Sequence, residues 1–175
     1  MKKILFMIIL INTLFGVTKN DIYTFYKNKD YKNTCLKGVW ILNKFKDNDT
    51  YQSIVALSCV KVNMLNASIK IAKTMIHTPI GRNNASYISS LFLIKKLLLQ
   101  KLYDNINISN LSFPKSNHPL SIVFENISHN NFTRKEDKYT IYYQNKKYLL
   151  YPIKTNKFVI EIYKNNMLLS KKTYW

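Results

Sequence analysis

Residues 138–175, KYTIYYQNKKYLLYPIKTNKFVIEIYKNNMLLSKKTYW, decide how the rest of the chain is read. Tyr139, Ile141 and Tyr143 alternate with Lys138, Thr140 and Gln144, and Leu149, Tyr151 and Ile153 share a face. Phe158, Ile160 and Ile162 alternate with Lys157, Val159 and Glu161. Strand side chains point to opposite faces with period two, so this pattern puts one face on a core and the other in water. Asn145-Lys146, Thr155-Asn156 and Asn165-Asn166 separate the runs, and Asn tolerates the positive φ of tight hairpin turns. The stretch predicts four short strands in an antiparallel meander that closes with Met167–Trp175. Pro152 has no N–H to give to a ladder, so it is expected on an edge or at a bulge.

Working back toward the N-terminus, Leu120, Ile122 and Phe124 alternate with Ser121 and Glu125, which extends the period-two reading to Pro119. Ser86 to Asp104 changes period: Ile88, Leu91, Phe92, Leu98, Leu99 and Leu102 fall on one face of a long amphipathic helix, about 86–104. Thr78-Pro79-Ile80-Gly81 reads as a break. Residues 63–77 fit a strand through Ile69 and Ile71 and a helix through Leu65, Ile69, Ala72 and Ile76. Gly38–Phe45 and Tyr51–Val62, joined across Asp47-Asn48-Asp49, read as an N-terminal hairpin. Residues 19–35 carry polar and aromatic side chains without a clear period and are expected to form an arm. The predicted class is α+β: an antiparallel C-terminal β-meander with an N-terminal hairpin and one long helix, in a single globular domain over 36–175.

The first eighteen residues read as an address. Lys2-Lys3 precede the apolar run ILFMIILINTLF, and Gly16 to Lys19 supply the region of cleavage of a signal peptide spanning 1–18. No later segment holds 18 uninterrupted apolar residues, so no transmembrane segment is expected in the mature chain. The expected location is secreted and extracellular, or periplasmic in a bacterium. Cys35 and Cys59 are the only two cysteines, an even count in an oxidising compartment, and they are expected to form a disulfide rather than to supply a catalytic thiolate.

Composition narrows the chemistry. The chain of 175 residues has 27 Lys+Arg against 9 Asp+Glu, a net charge of +18, and Arg occurs only at 82 and 134. Arg makes the bidentate contacts that nucleic acids reward, so nucleic acid is not an expected partner. A Lys-rich surface would attract polyanions weakly, whether glycosaminoglycan or anionic membrane. The sequence has no G-x-S-x-G, Walker loop, H-E-x-x-H or C-x-x-C. His77, His118 and His129 lack metal-ligand spacing and read as structural. No catalytic residue, metal site or cofactor is implied. N-x-[ST] occurs at Asn48, Asn66, Asn84, Asn107, Asn110, Asn126 and Asn131, where chance predicts about three at this Ser and Thr content. These sites read either as N-glycosylation acceptors of a eukaryotic secretory protein or as accidents of an Asn-rich bacterial one. With 13 Tyr and 9 Phe available as anchors, the expected function is non-enzymatic binding of an extracellular or host protein. A Lys-rich binder of anionic glycan or lipid surfaces is a second reading.

Leu36-Lys37-Gly38-Val39-Trp40, followed by Phe45-Lys46-Asp47, resembles the G-x-W opening strand of the lipocalin-like (calycin) barrels. That resemblance covers about ten residues and implies a closed meander carrying a small apolar ligand. The helix in mid-chain departs from the usual lipocalin order.

Overall fold

The computed structural model describes residues 16–109, 111–154 and 156–175, so the signal-peptide reading lies almost wholly outside the described residues. The class is α+β: six α-helices followed by a five-stranded antiparallel sheet in the order β1-β2-β3-β4-β5. The chain divides into two compact units, the first ending at Arg82 and the second running from Asn83 to Trp175.

The first unit is helical throughout, which corrects the N-terminal hairpin. It holds α1 (Lys19–Lys27), α2 (Tyr31–Trp40), a 3-10 turn (Leu42–Phe45), α3 (Asp49–Lys61), α4 (Leu65–Ala72) and the opening turn of α5 (Pro79–Tyr103). Residues 19–35, expected as an arm, are helical, and Ile22 is fully buried. Thr18 and Asp21 form a reciprocal capping box at the start of α1. The strand reading of Tyr51–Val62 fails for a physical reason. Nine of the thirteen α3 residues are buried, so no polar stripe marks the 3.6-residue period, and a run rich in Val and Ile imitates a buried strand. The helix is decided by its caps. Asn48 Oδ1 accepts the Tyr51 N–H at 2.9 Å, and Asn63 takes a positive φ just beyond the C-terminal end. Gly38 lies within α2 because Val55 of α3 packs against it: a Cβ there would stand 2.5 Å from Val55 Cγ2. The ambiguous 63–77 segment resolves as helix α4 over its central residues.

The break expected at 78–81 is a helix start. Thr78 Oγ1 accepts the Gly81 N–H at 3.0 Å, and Pro79 opens α5, where its missing N–H has no intrahelical partner to lose. Asp49, buried at the head of α3, receives the Thr78 N–H at 2.6 Å and the Thr78 hydroxyl at 3.0 Å. Burial pushes the Asp49 carboxyl up, and the two Thr78 bonds with the nearby His77 more than offset this, holding it below its ordinary range.

In the second unit, α5 continues to Tyr103 and buries Ile88, Leu91, Ile94 and Leu98. A loop leads to α6 (Pro119–Ser128), then β1 (Thr133–Lys135), β2 (Lys138–Tyr143), β3 (Lys146–Ile153), β4 (Lys157–Lys164) and β5 (Met167–Tyr174). Helix α6 corrects the strand expected from Pro119. Leu120, Val123, Phe124 and Ile127 sit at i, i+3, i+4 and i+7 and are buried, and His118 Nδ1 caps the helix by accepting the Leu120 N–H.

The meander forms where the sequence predicts it, with two corrections. The short β1 precedes its four strands. In β3 it is Tyr148 and Leu150 that are buried, while Leu149 and Tyr151 lie half-buried on the opposite face and Ile153 is exposed, because pairing with Ile141 and Tyr139 sets which face turns inward. Tyr139, Ile141, Tyr148, Leu150, Phe158, Ile160 and Tyr174 are buried on one face. The turns run on positive φ at Gln144-Asn145 and Asn165-Asn166, so the β2–β3 turn falls one residue earlier than expected. Among the described residues, seven of the ten non-glycine positions with positive φ are Asn, and no glycine has one. Asn stands in for glycine in a chain that has few glycines. Pro152 lies in the part of β3 that runs beyond its pairing with β2, which reaches only to Leu150, a local edge as its chemistry requires.

Candidate functional site

The outer face of the sheet carries the other half of each strand, mostly polar and aromatic side chains with Leu149, Val159 and Leu168 among them. Antiparallel register aligns these side chains in rows across the strands. One row is Tyr142, Lys147, Tyr163 and Leu168; the next is Thr140, Leu149, Glu161 and Lys171. A bulge between Ile162 and Tyr163 sets the second row. Beyond it the partner of each β4 residue slips by one, so that Glu161 faces Lys171 rather than Ser170.

Glu161 is the centre of this face. It is buried, and it accepts the Tyr151 hydroxyl at 2.8 Å, the Tyr163 hydroxyl at 2.8 Å and the Lys171 ammonium at 2.9 Å. Burial alone would raise the carboxyl, but the bonds from Lys171, Tyr151 and Tyr163 together outweigh it and hold Glu161 below the ordinary carboxylate range. The two tyrosines are raised in turn, Tyr151 by burial and by its bond to Glu161, Tyr163 chiefly by that bond. Lys138 lies 5.7 Å from the Tyr151 ring centre and Lys147 lies 4.8 Å from that of Tyr163. Every acid on this face is therefore already engaged, while cations and ring faces remain toward solvent. Such a cluster orients aromatic side chains; it offers no unengaged base or nucleophile.

At one end of the sheet the β2–β3 and β4–β5 tips stand side by side and enclose a groove of about 580 Å³. Tyr142, Tyr143, Tyr163, Lys146 and Lys147 line it together with the carboxamide side chains of both turns. Strand β5 is the last of the sheet, and Met167, Leu168 and Leu169 near its start are 66%, 52% and 54% exposed. Lys95 of α5 is a second buried charge. Its Nζ donates to the Trp175 carbonyl at 2.6 Å, and burial together with neighbouring Lys96 lowers it to about 8.

Cys35 and Cys59 are bonded, with Sγ–Sγ 2.04 Å, and both are fully buried. Among the sequons, Asn66, Asn107 and Asn131 are exposed and Asn84 is half-buried. Asn48 is committed as the α3 cap, and the Asn126 amide donates to the Ile122 carbonyl at 2.8 Å; Asn110 lies outside the described residues. The three histidines are dispersed: His77 Nε2 is 3.8 Å from Asp47, His118 caps α6, and His129 Nδ1 sits 2.8 Å from the Glu125 carbonyl. Among the described residues no group of three or more His, Cys, Asp or Glu could hold a metal ion. No helix there is long and apolar enough to cross a membrane. The Gly38-Val39-Trp40 segment that resembled a lipocalin opening strand is the last turn of α2, with Trp40 74% exposed. The described sheet leaves β1 and β5 unjoined, so the closed barrel of that resemblance is absent. The Glu161 cluster escaped sequence reading because its four residues come from three strands and the bulge decides which of them meet. Its one sequence-level signal was an acid isolated on a strand otherwise flanked by Lys and Tyr. No family model, curated protein or solved structure matches the chain.

Proposed function

We propose that the chain is a secreted binding protein that acts without catalysis and engages an extracellular or host protein through the free edge of its C-terminal sheet. The observation that carries this reading is β5. Its outer edge pairs with no other described strand, and it opens with the exposed Met167, Leu168 and Leu169. An unpaired strand is a template for a segment of another chain: its main-chain groups supply hydrogen bonds and its side chains supply selection. A net charge of +18 opposes pairing with a second copy of this chain and favours an acidic partner. The buried disulfide supports an oxidising compartment.

The test is capture of partners from surface and culture fractions by the purified native protein, compared with the variant Leu168→Asp/Leu169→Asp. Both side chains are exposed, so the variant should unfold as the parent does. Loss of the captured protein with unchanged unfolding supports the reading. Equal capture by both proteins would sink it.

A further inference from the structure

We propose that the groove between the two hairpin tips is a binding site for an acidic saccharide. This goes beyond the protein-binding reading, since it concerns the end of the sheet rather than the edge of β5.

The groove has an unusual lining. It holds three tyrosines, two lysines and four carboxamides, with no acid and no aliphatic side chain. Each class matches one feature of a charged sugar ring. The C–H face of a pyranose is weakly positive and packs on the negative face of an aromatic ring. A uronate or sulfate needs a cation free of competing carboxylates, which Lys146 and Lys147 provide. Vicinal hydroxyls each donate and accept, and so does a carboxamide.

The same lining disfavours other polyanions. A phosphodiester chain presents acceptors to the groove and would leave the amide carbonyls unmatched. An acidic peptide lacks a flat apolar face for the tyrosines, and the groove has no aliphatic pocket for its side chains.

Part of the site is held in place before any ligand arrives. Tyr142, Lys147 and Tyr163 are cross-strand neighbours in one row, with Tyr142 on β2, Lys147 on β3 and Tyr163 on β4. Tyr163 is fixed by its hydroxyl on Glu161 at 2.8 Å, and the Lys147 ammonium stands 4.8 Å from its ring centre. Tyr142 is 73% exposed at the mouth. Two positive-φ turns, Gln144-Asn145 and Asn165-Asn166, set the walls. A ring held at Tyr163 and a cation resting on it lower the ordering that binding must otherwise impose.

Calorimetry on the native protein with a heparin-derived hexasaccharide and a hexagalacturonate at about 0.15 M salt tests the proposal. One-to-one binding of at least one of them is expected. Lys146→Gln/Lys147→Gln should weaken it about tenfold or more, and Tyr142→Ala about threefold or more, although the latter leaves the charge unchanged. Lys32→Gln/Lys70→Gln removes the same charge from exposed positions that do not line the groove and should change affinity less than about twofold, since salt screens charges that make no contact with the ligand. All three variants should unfold like the parent. The proposal fails if neither saccharide binds, if the double variant outside the groove lining weakens binding as much as the groove variant, or if Tyr142→Ala has no effect. It fails also if an oligonucleotide, a poly-glutamate peptide or anionic vesicles bind as tightly with the same dependence on Tyr142. Leu168→Asp/Leu169→Asp separates the two readings: loss of protein capture with saccharide binding retained places them on different surfaces.

Discussion

Glu161 and Gly38 show how much rests on single side chains. Glu161 is stabilised as an anion by three donors, so its folded-state pKa lies below the ordinary value of 4.5. A depressed carboxyl contributes stability that is present above its unfolded pKa and lost as pH falls through the lower folded one. Glu161→Gln should therefore lower stability at pH 7 and flatten its decline as pH falls through and below 4.5, which acid titrations of both proteins by circular dichroism would reveal. Lys95 works with the opposite sign. Burial lowers it to about 8 against 10.5 unfolded, so the unfolded state binds more protons between these values and stability from this group rises with pH across them. Lys95→Met should remove that rise, which denaturant titrations of both proteins between about pH 8 and 10.5 would show. Gly38→Ala gains helix propensity of about 1 kcal/mol. It also drives a methyl to within 2.5 Å of Val55 Cγ2, and overpacking of that kind costs about 1–3 kcal/mol. Net destabilisation in a denaturant titration is expected; a stabilised variant would mean that α2 and α3 do not meet as described.

At the scale of elements, caps and turns outweigh intrinsic preference. Helix α3 carries Tyr51, Ile54, Val55 and Val60, which favour strands, and Asn48 and Asn63 bound it. Helix α6 opens on His118 and Pro119. The β4–β5 hairpin depends on Asn165 and Asn166 at φ 50 and 62. Ala there meets the steric penalty of the left-handed region, about 1 kcal/mol per position, whereas Gly meets none. Asn165→Ala/Asn166→Ala should lower stability by about 2 kcal/mol, and the double Gly variant by much less. Equal losses in thermal unfolding would show that the carboxamides themselves hold the turn.

For the whole molecule, the disulfide and the charge pull in opposite directions. Cys35 and Cys59 are 24 residues apart, and closing a loop of that size contributes about 3 kcal/mol by restricting the unfolded chain. Both sulfurs are buried, so the bond should resist reductant until the protein unfolds. Cys35→Ser/Cys59→Ser should then melt well below the parent. A net charge of +18 acts as distributed repulsion that salt screens within about 10 Å at 0.1 M. Thermal midpoints should rise from low salt to about 0.3 M, and a flat response would mean that the lysines are spread too widely to repel.

While strand pairing decided which face of β3 turns inward, the amino-acid order by itself determined the four long strands of the meander, its turns to within a residue, the long helix and the pairing of the only two cysteines. These are local or arithmetic features: alternation of period two, Asn where φ is positive, an apolar stripe of period 3.6, and no other thiol to choose. Tertiary structure decided the N-terminal unit. In α3 burial on nearly all sides erases the periodic stripe, and in α2 Gly38 is a packing residue rather than the start of a strand. At Thr78-Pro79 the same residues serve a helix start or a break, and only the position of Asp49 settles which. Tertiary structure also assembled the outer face of the sheet. Glu161, Tyr151, Tyr163 and Lys171 meet because a one-residue bulge shifts the register of β5, and register is a property of paired strands that no single strand carries.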